Sequence, residues 1–385
     1  MKISEDILDI GVNDHQIDLF EGQYVVPRGM SYNSYLVKDE KTVIFDTVDE
    51  DFGDLWLANI RAATDRVDYL VVQHMEPDHS ANIARFAAAY PNATIVASCP
   101  AFAMMKNYFG TDYADRRLVV KEGDTLSTGK HTFSFVCAPM VHWPEVIVTY
   151  DAATKTLFSA DGFGKFGAND VADPEGWDCE ARRYYIGIVG RFGPHVQSLL
   201  KKAATLDIRR ICPLHGPVLD TPEAIAHAVR LYDIWSSYAV ESPGVCICYT
   251  SVYGNTRAAV LKLADLLQAK GCPKVVVRDL ARDDQAEAVE DAFRYGKLVL
   301  ATTTYNMDIF PWMRHFIDHL VARNFQKRTV AFIENGTWAP MATRVMKGLL
   351  EKSKDLVFCT NNVTLRAAMT PENEAELARL ADELL

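Results

Sequence analysis

Six consecutive residues, His74-Met75-Glu76-Pro77-Asp78-His79, set two imidazoles and two carboxylates just past the apolar run Tyr69-Leu70-Val71-Val72. Packing them so densely has little structural use, and Pro77 forbids a helix continuing through the run. Four such side chains cannot all bind one tetrahedral ion, but they can feed two adjacent metals. Imidazole with carboxylate suits iron as well as zinc. Three more candidates stand where strand-like runs give way to polar loops: His142 after Phe135-Val136-Cys137, Asp161 after Thr156-Leu157-Phe158, and His215 after Arg210-Ile211-Cys212. Alone, each of the three reads as an ordinary loop residue; beside the run, each becomes a ligand candidate. The pattern predicts that all seven meet on one rim of one sheet.

A second constellation is Thr250-Ser251-Val252-Tyr253-Gly254-Asn255-Thr256, where an apolar strand hands over to a helix. Free N–H groups and the helix dipole favour an anion there. The loop is neither G-x-G-x-x-G nor a Walker A loop, so a terminal monophosphate fits better than a pyrophosphate. Two later strand ends carry Thr302-Thr303-Thr304-Tyr305-Asn306 and Glu334-Asn335-Gly336-Thr337-Trp338-Ala339-Pro340. Tyr305 and Trp338 can sandwich or edge a flat ring, with backbone groups meeting its polar edge. The three loops resemble the phosphate loop and the two ring-binding loops of flavodoxins, which implies FMN.

The elements that must position these groups change rhythm along the chain. Short strands dominate the first part: 23–27, 32–37, 42–46, 69–73, 94–97, 117–120, 132–138, 146–151, 156–160 and 209–213. Helices are expected over 80–89, 100–108, 178–206 with interruptions, and 222–238. Glu241-Ser242-Pro243-Gly244 breaks the pattern, which sets domains at 1–242 and 243–385. Regular βα alternation follows, five units that suit a doubly wound parallel sheet of order 2-1-3-4-5.

Length and composition agree with two domains. The chain has 385 residues, 49% of them hydrophobic, enough for two cores. A net charge of −11 argues against a nucleic-acid footprint. No apolar run is long enough to span a bilayer and no signal peptide is evident, so a cytoplasmic location is expected. The eight cysteines show no C-x-x-C pair, hence no rubredoxin module, and electrons must come from another molecule. His315 and His319, four apart, read as a helix surface, and His131 as a turn.

The order H-x-[EH]-x-D-H, then His, Asp and His, resembles the metallo-β-lactamase fold. Glu76 stands where hydrolases of that fold carry His, and a carboxylate there favours harder cations and the ferric state. With the flavodoxin-like second half, the whole chain resembles the flavodiiron proteins, or A-type flavoproteins. The resemblance implies an αββα sandwich followed by a flavodoxin-like domain, FMN, two iron ions, and reduction of O2 to water and/or NO to N2O. It implies that His74, Glu76 and His142 bind one iron, that Asp78, His79 and His215 bind the other, and that Asp161 bridges them. Tyr184 or Tyr185 would donate a hydrogen bond to a bound intermediate. A head-to-tail homodimer is implied, with rubredoxin or reduced coenzyme F420 as donor. Two other readings compete: a dinuclear zinc hydrolase with a regulatory flavodoxin domain, which leaves FMN without an acceptor, and an electron carrier with an inert first domain.

Overall fold

Runs of β-branched and aromatic residues dominate the first 220 positions of the computed structural model, which describes residues 1–385. They pair into two sheets. The first holds β1 (Ile7–Asp9), β2 (Tyr35–Val37), β3 (Val43–Phe45), β4 (Tyr69–Val72), β5 (Thr94–Ser98) and β6 (Arg117–Val120), side by side in chain order. The second holds β7 (Thr125–Ser127), β8 (Thr132–Cys137), β9 (Ile147–Asp151), β10 (Thr156–Phe158) and β11 (Arg210–Cys212). β11 pairs parallel to β10, so the last strand runs in the same direction as its neighbour.

Alternation along the strands builds the core between the sheets. Val43, Phe45, Val71 and Val96 face Phe133, Phe135, Ile147 and Phe158. Phe45 stacks on Phe158 with centroids 4.0 Å apart and meets Phe133 edge-on at 5.3 Å. Truncating such a ring costs about 3–5 kcal/mol. The sequence reading missed strand Ile7–Asp9, the ribbon of Val12–Asp14 with Met30–Tyr32, and the helix Gly53–Ala63. That helix buries Trp56, Leu57 and Ile60, a short stripe that Gly53, Asp54 and the exposed Leu55 obscure in sequence.

The second part forms a parallel sheet around β12 (Ser242–Tyr249), with β13 (Val275–Asp279), β14 (Tyr295–Tyr305), β15 (Thr329–Asn335) and β16 (Val357–Phe358), while the two-residue strand Asp308–Ile309 folds back antiparallel on the end of β14. Its order β13-β12-β14-β15-β16 is the expected 2-1-3-4-5; β17 (Val363–Leu365) also pairs with β15. Pro243-Gly244, read as a break, instead forms an irregularity inside β12, between Ser242 and Val245. Proline and glycine fit there because a bulge asks for no ladder bond from them. The chain divides into two compact units, 1–185 with 194–233 and 186–193 with 234–385. No helix is long and apolar enough to cross a membrane.

Candidate functional site

β4 ends at Val72, and the chain then turns through Gln73 and His74. Asp46, held at φ +54° just past β3, fixes that turn: its carboxylate accepts from the N–H groups of Gln73 (2.7 Å) and His74 (3.2 Å) and from the Gln73 amide (3.0 Å). Burial pushes the Asp46 pKa up to about 6, against the pull of His79 and the Gln73 hydrogen bonds. Pro77 opens a single helical turn, Pro77–Ser80, at the position where its missing N–H costs nothing. That turn carries Asp78 and His79 inward.

The seven candidates do converge, but from both sheets. The six-residue run follows β4 of the first sheet, whereas His142, Asp161 and His215 follow β8, β10 and β11 of the second. The expected single rim is therefore one end of the sandwich. Asp161, buried, lies at the centre: one oxygen is 3.0 Å from His142 Nε2 and 3.3 Å from His74 Nε2. Its other oxygen is 3.3 Å from His79 Nε2 and 3.8 Å from His215 Nε2. Glu76 closes one side, 3.0 Å from His142 and 3.3 Å from His74; Asp78 closes the other, 3.2 Å from both His79 and His215.

These residues form two ligand groups, His74-Glu76-His142-Asp161 and Asp78-His79-His215. The carboxylate oxygens of Asp78 and Asp161 are buried without an aligned hydrogen bond. Two orphaned carboxylates ringed by imidazole nitrogens are expensive unless a cation satisfies them. The residues fit two metal ions.

Partners behind the ligands were not legible in the sequence. His215 Nδ1 donates to the Ser31 carbonyl at 2.7 Å, which leaves Nε2 its lone pair for the centre. Buried Glu145 accepts from His74 Nδ1 at 2.8 Å. Glu21, at the tip of the hairpin joining Leu19–Phe20 to Tyr24–Val25, reaches Glu76; burial and the Glu76 charge push its pKa up to about 7. Neither acid has a spacing that would betray it. His131, read as a turn, is fully buried against Asp151 at 2.8 Å. The rings of His315 and His319 lie 4.3 Å apart on one helix, and His319 Nδ1 is 3.1 Å from the Arg323 guanidinium.

Protons and metals compete for this centre. Burial alone would lower the pKa of His142, but hydrogen bonds to Asp161 and Glu76 outweigh it and hold it at about 9 without metal. A folded value above the unfolded 6.5 stabilises the metal-free protein fully below pH 6.5, and that contribution is lost as pH rises through 9. Metal needs the neutral ring. We expect the chelator-treated protein to melt lower at pH 9 than at pH 6.5 while its metal affinity rises over the same interval. Melting curves and competition titrations at both pH values check this; parallel trends would contradict it.

In the second part, a cavity of about 370 Å³ opens at the ends of β12, β14 and β15. Ser251, Val252, Tyr253, Asn255, Thr256, Thr303, Thr304, Tyr305, Asn306, Asn335, Gly336, Thr337 and Trp338 line it, together with Met307 and Ala367. Gly254 sits behind the loop, at φ +91° before helix Asn255–Ala269. Asn335 ties the loops together, donating to Ala367 O at 3.0 Å and accepting from Ala367 N at 3.1 Å. The Thr303 hydroxyl is buried there without a partner. Tyr305 and Trp338 are largely exposed, flat walls with one face bare. A helix N-terminus, an orphaned hydroxyl and two aromatic walls fit a flavin mononucleotide.

Residues 30–216 match the family model described as ODP family beta lactamase. The rubredoxin oxygen:oxidoreductase of Desulfovibrio gigas is similar over 100% of this chain and 97% of its own, at 26% identity and a TM-score of 0.93. The flavodiiron protein of Giardia intestinalis covers 100% and 95%, at 25% identity and a TM-score of 0.94. The anaerobic nitric oxide reductase flavorubredoxin of Shigella flexneri is 31% identical over 388 residues, 96% of this chain and 78% of that protein. The chain belongs to the flavodiiron proteins. As in the flavodiiron neighbours, a metallo-β-lactamase-like part precedes a flavodoxin-like one.

Proposed function

We propose that this flavodiiron chain passes electrons from an external donor through FMN to a di-iron site that reduces O2 to water and/or NO to N2O. The observation that carries the reading is the convergence of seven ligands with a carboxylate, Glu76, on the His74 side. Residues 1–242 would hold the irons and 243–385 the FMN. His74, Glu76 and His142 would hold one iron and Asp78, His79 and His215 the other, with Asp161 shared by the two groups. His79 counts as a ligand because its Nε2 lies 2.9 Å from that of His215, at the same point. Bound FMN supplies electrons one at a time, and the irons supply the redox chemistry at the diatomic.

The chain's own residues shape the pocket. Tyr184 is preferred to Tyr185 as hydrogen-bond donor: its ring lies 5.5 Å from that of His215, and its buried hydroxyl has no partner. Burial, then the Asp161 charge, drives its pKa far up, so it keeps its proton. Gly164 makes room for that ring, since a Cβ there would lie 3.0 Å from it. Tyr185 instead packs edge-on against Tyr232 at 5.0 Å.

The name of one neighbour, a rubredoxin oxygen:oxidoreductase, supports rubredoxin as the donor; reduced coenzyme F420 is the other candidate. We place the protein in the cytoplasm as a head-to-tail homodimer. Purified protein should carry one FMN and two irons per chain and consume O2 or NO with reduced rubredoxin; full activity with two zincs and no iron would instead favour the hydrolase. When Asp161→Ala chains are mixed with FMN-deficient chains, each hybrid dimer should regain about half the activity of a parent dimer, and an equal, randomly paired mixture about a quarter, because each hybrid has one intact metal site facing one flavin. No recovery on mixing would rule out transfer between subunits.

A further inference from the structure

The two ligand groups share Asp161 but differ in what stands behind their imidazoles. His215 Nδ1 donates to a neutral carbonyl, that of Ser31, and His79 Nδ1 has no partner at all. His74 Nδ1 donates to a carboxylate, Glu145 Oε1, at 2.8 Å. Glu145 is 2% exposed; the same oxygen accepts from the Met75 N–H at 2.8 Å, and its second oxygen has no partner. A carboxylate behind a ligating imidazole fixes its tautomer and strengthens it as a donor. Burying one with so few partners is costly unless its charge is used. Charge bookkeeping points the same way: Glu76, Asp78 and Asp161 leave one positive charge of two divalent ions uncompensated, and Glu145 cancels it on the His74 side only.

We propose that Glu145 is a positioning residue that makes the two metal positions unequal, so that the His74-Glu76-His142 position binds more tightly and fills first. The proposal rests on the metal centre assigned above.

The test is anaerobic titration of chelator-treated, FMN-containing protein with Co2+, followed by binding heat and visible absorption. The parent should take two ions in two resolved steps. Glu145→Gln keeps the shape and the acceptor but loses the charge; it should weaken the first step roughly ten- to a hundredfold and leave the second within about twofold. Asp78→Ala disables one position and Glu76→Ala the other, which assigns the steps. The site surviving in Asp78→Ala should be the tighter, and should lose that advantage when Glu145→Gln is added. Equal weakening of both steps, no weakening, or tighter binding in Glu76→Ala than in Asp78→Ala overturns the proposal. Retained FMN and the melting temperature show whether Glu145→Gln is folded; if it is not, the Asp78→Ala and Glu76→Ala comparison decides the order of filling by itself. Failure of the metal centre would look different: fewer than two Co2+ bound by the parent, and no change on Glu76→Ala.

Discussion

Asp161→Ala will strip metal from both positions and all but abolish O2 or NO reduction. All four imidazoles of the centre lie within 3.8 Å of its two oxygens, whereas Glu76 reaches only His74 and His142, and Asp78 only His79 and His215. Removing one partner of a buried charged set costs about 3–5 kcal/mol, and each 1.4 kcal/mol is tenfold, so activity should fall by about two to three powers of ten. FMN should stay, because its cavity is lined only by residues of 251–367. Iron analysis, the flavin spectrum and oxygen or NO electrodes measure the three quantities. Iron at the parent's stoichiometry would remove Asp161 from the site.

Gly254→Val should have the opposite signature, with metal retained and FMN lost. At φ +91° and ψ −14° the residue lies where a β-branched side chain is a genuine outlier, although nothing stands within 4 Å of a Cβ there. The strain, not a clash, should pull the loop away from the helix start and withdraw the N–H groups from the phosphate. We expect FMN affinity to fall about a hundredfold, equivalent to about 2.7 kcal/mol. Gly254→Ala, less strained, should lie between. Fluorescence titration of flavin-free protein reads the affinity; a Val variant that binds FMN like the parent would place the phosphate elsewhere.

Both sites were legible because their chemistry is dense in sequence or falls at strand ends. His74 to His79 is local, and Ser251 to Thr256 occupies the first turn of a doubly wound sheet. The αββα sandwich was legible as many short strands, and the parallel sheet as a regular alternation. Glu145 and Glu21 were not legible, since one follows His142 by three residues in a Trp-Pro loop and the other tips a two-residue hairpin. Their meaning depends on long-range packing, which no local period encodes. The helix Gly53–Ala63 was hidden by a glycine start, and Pro243-Gly244 read as a break because proline and glycine can mark a bulge as well as a linker. Asp46 looked like a strand end until its carboxylate was seen bracing His74.

The order of the ligands along the chain has a consequence in time. His74, Glu76, His142 and Asp161 all precede His215, which reaches its place only when β11 pairs with β10. A ribosome adding about 5–20 residues per second leaves an interval on the order of several seconds between Asp161 and His215. During that interval one ligand group is fully synthesised and the other is not, so the nascent domain meets the cell's metal pool with half a centre to offer.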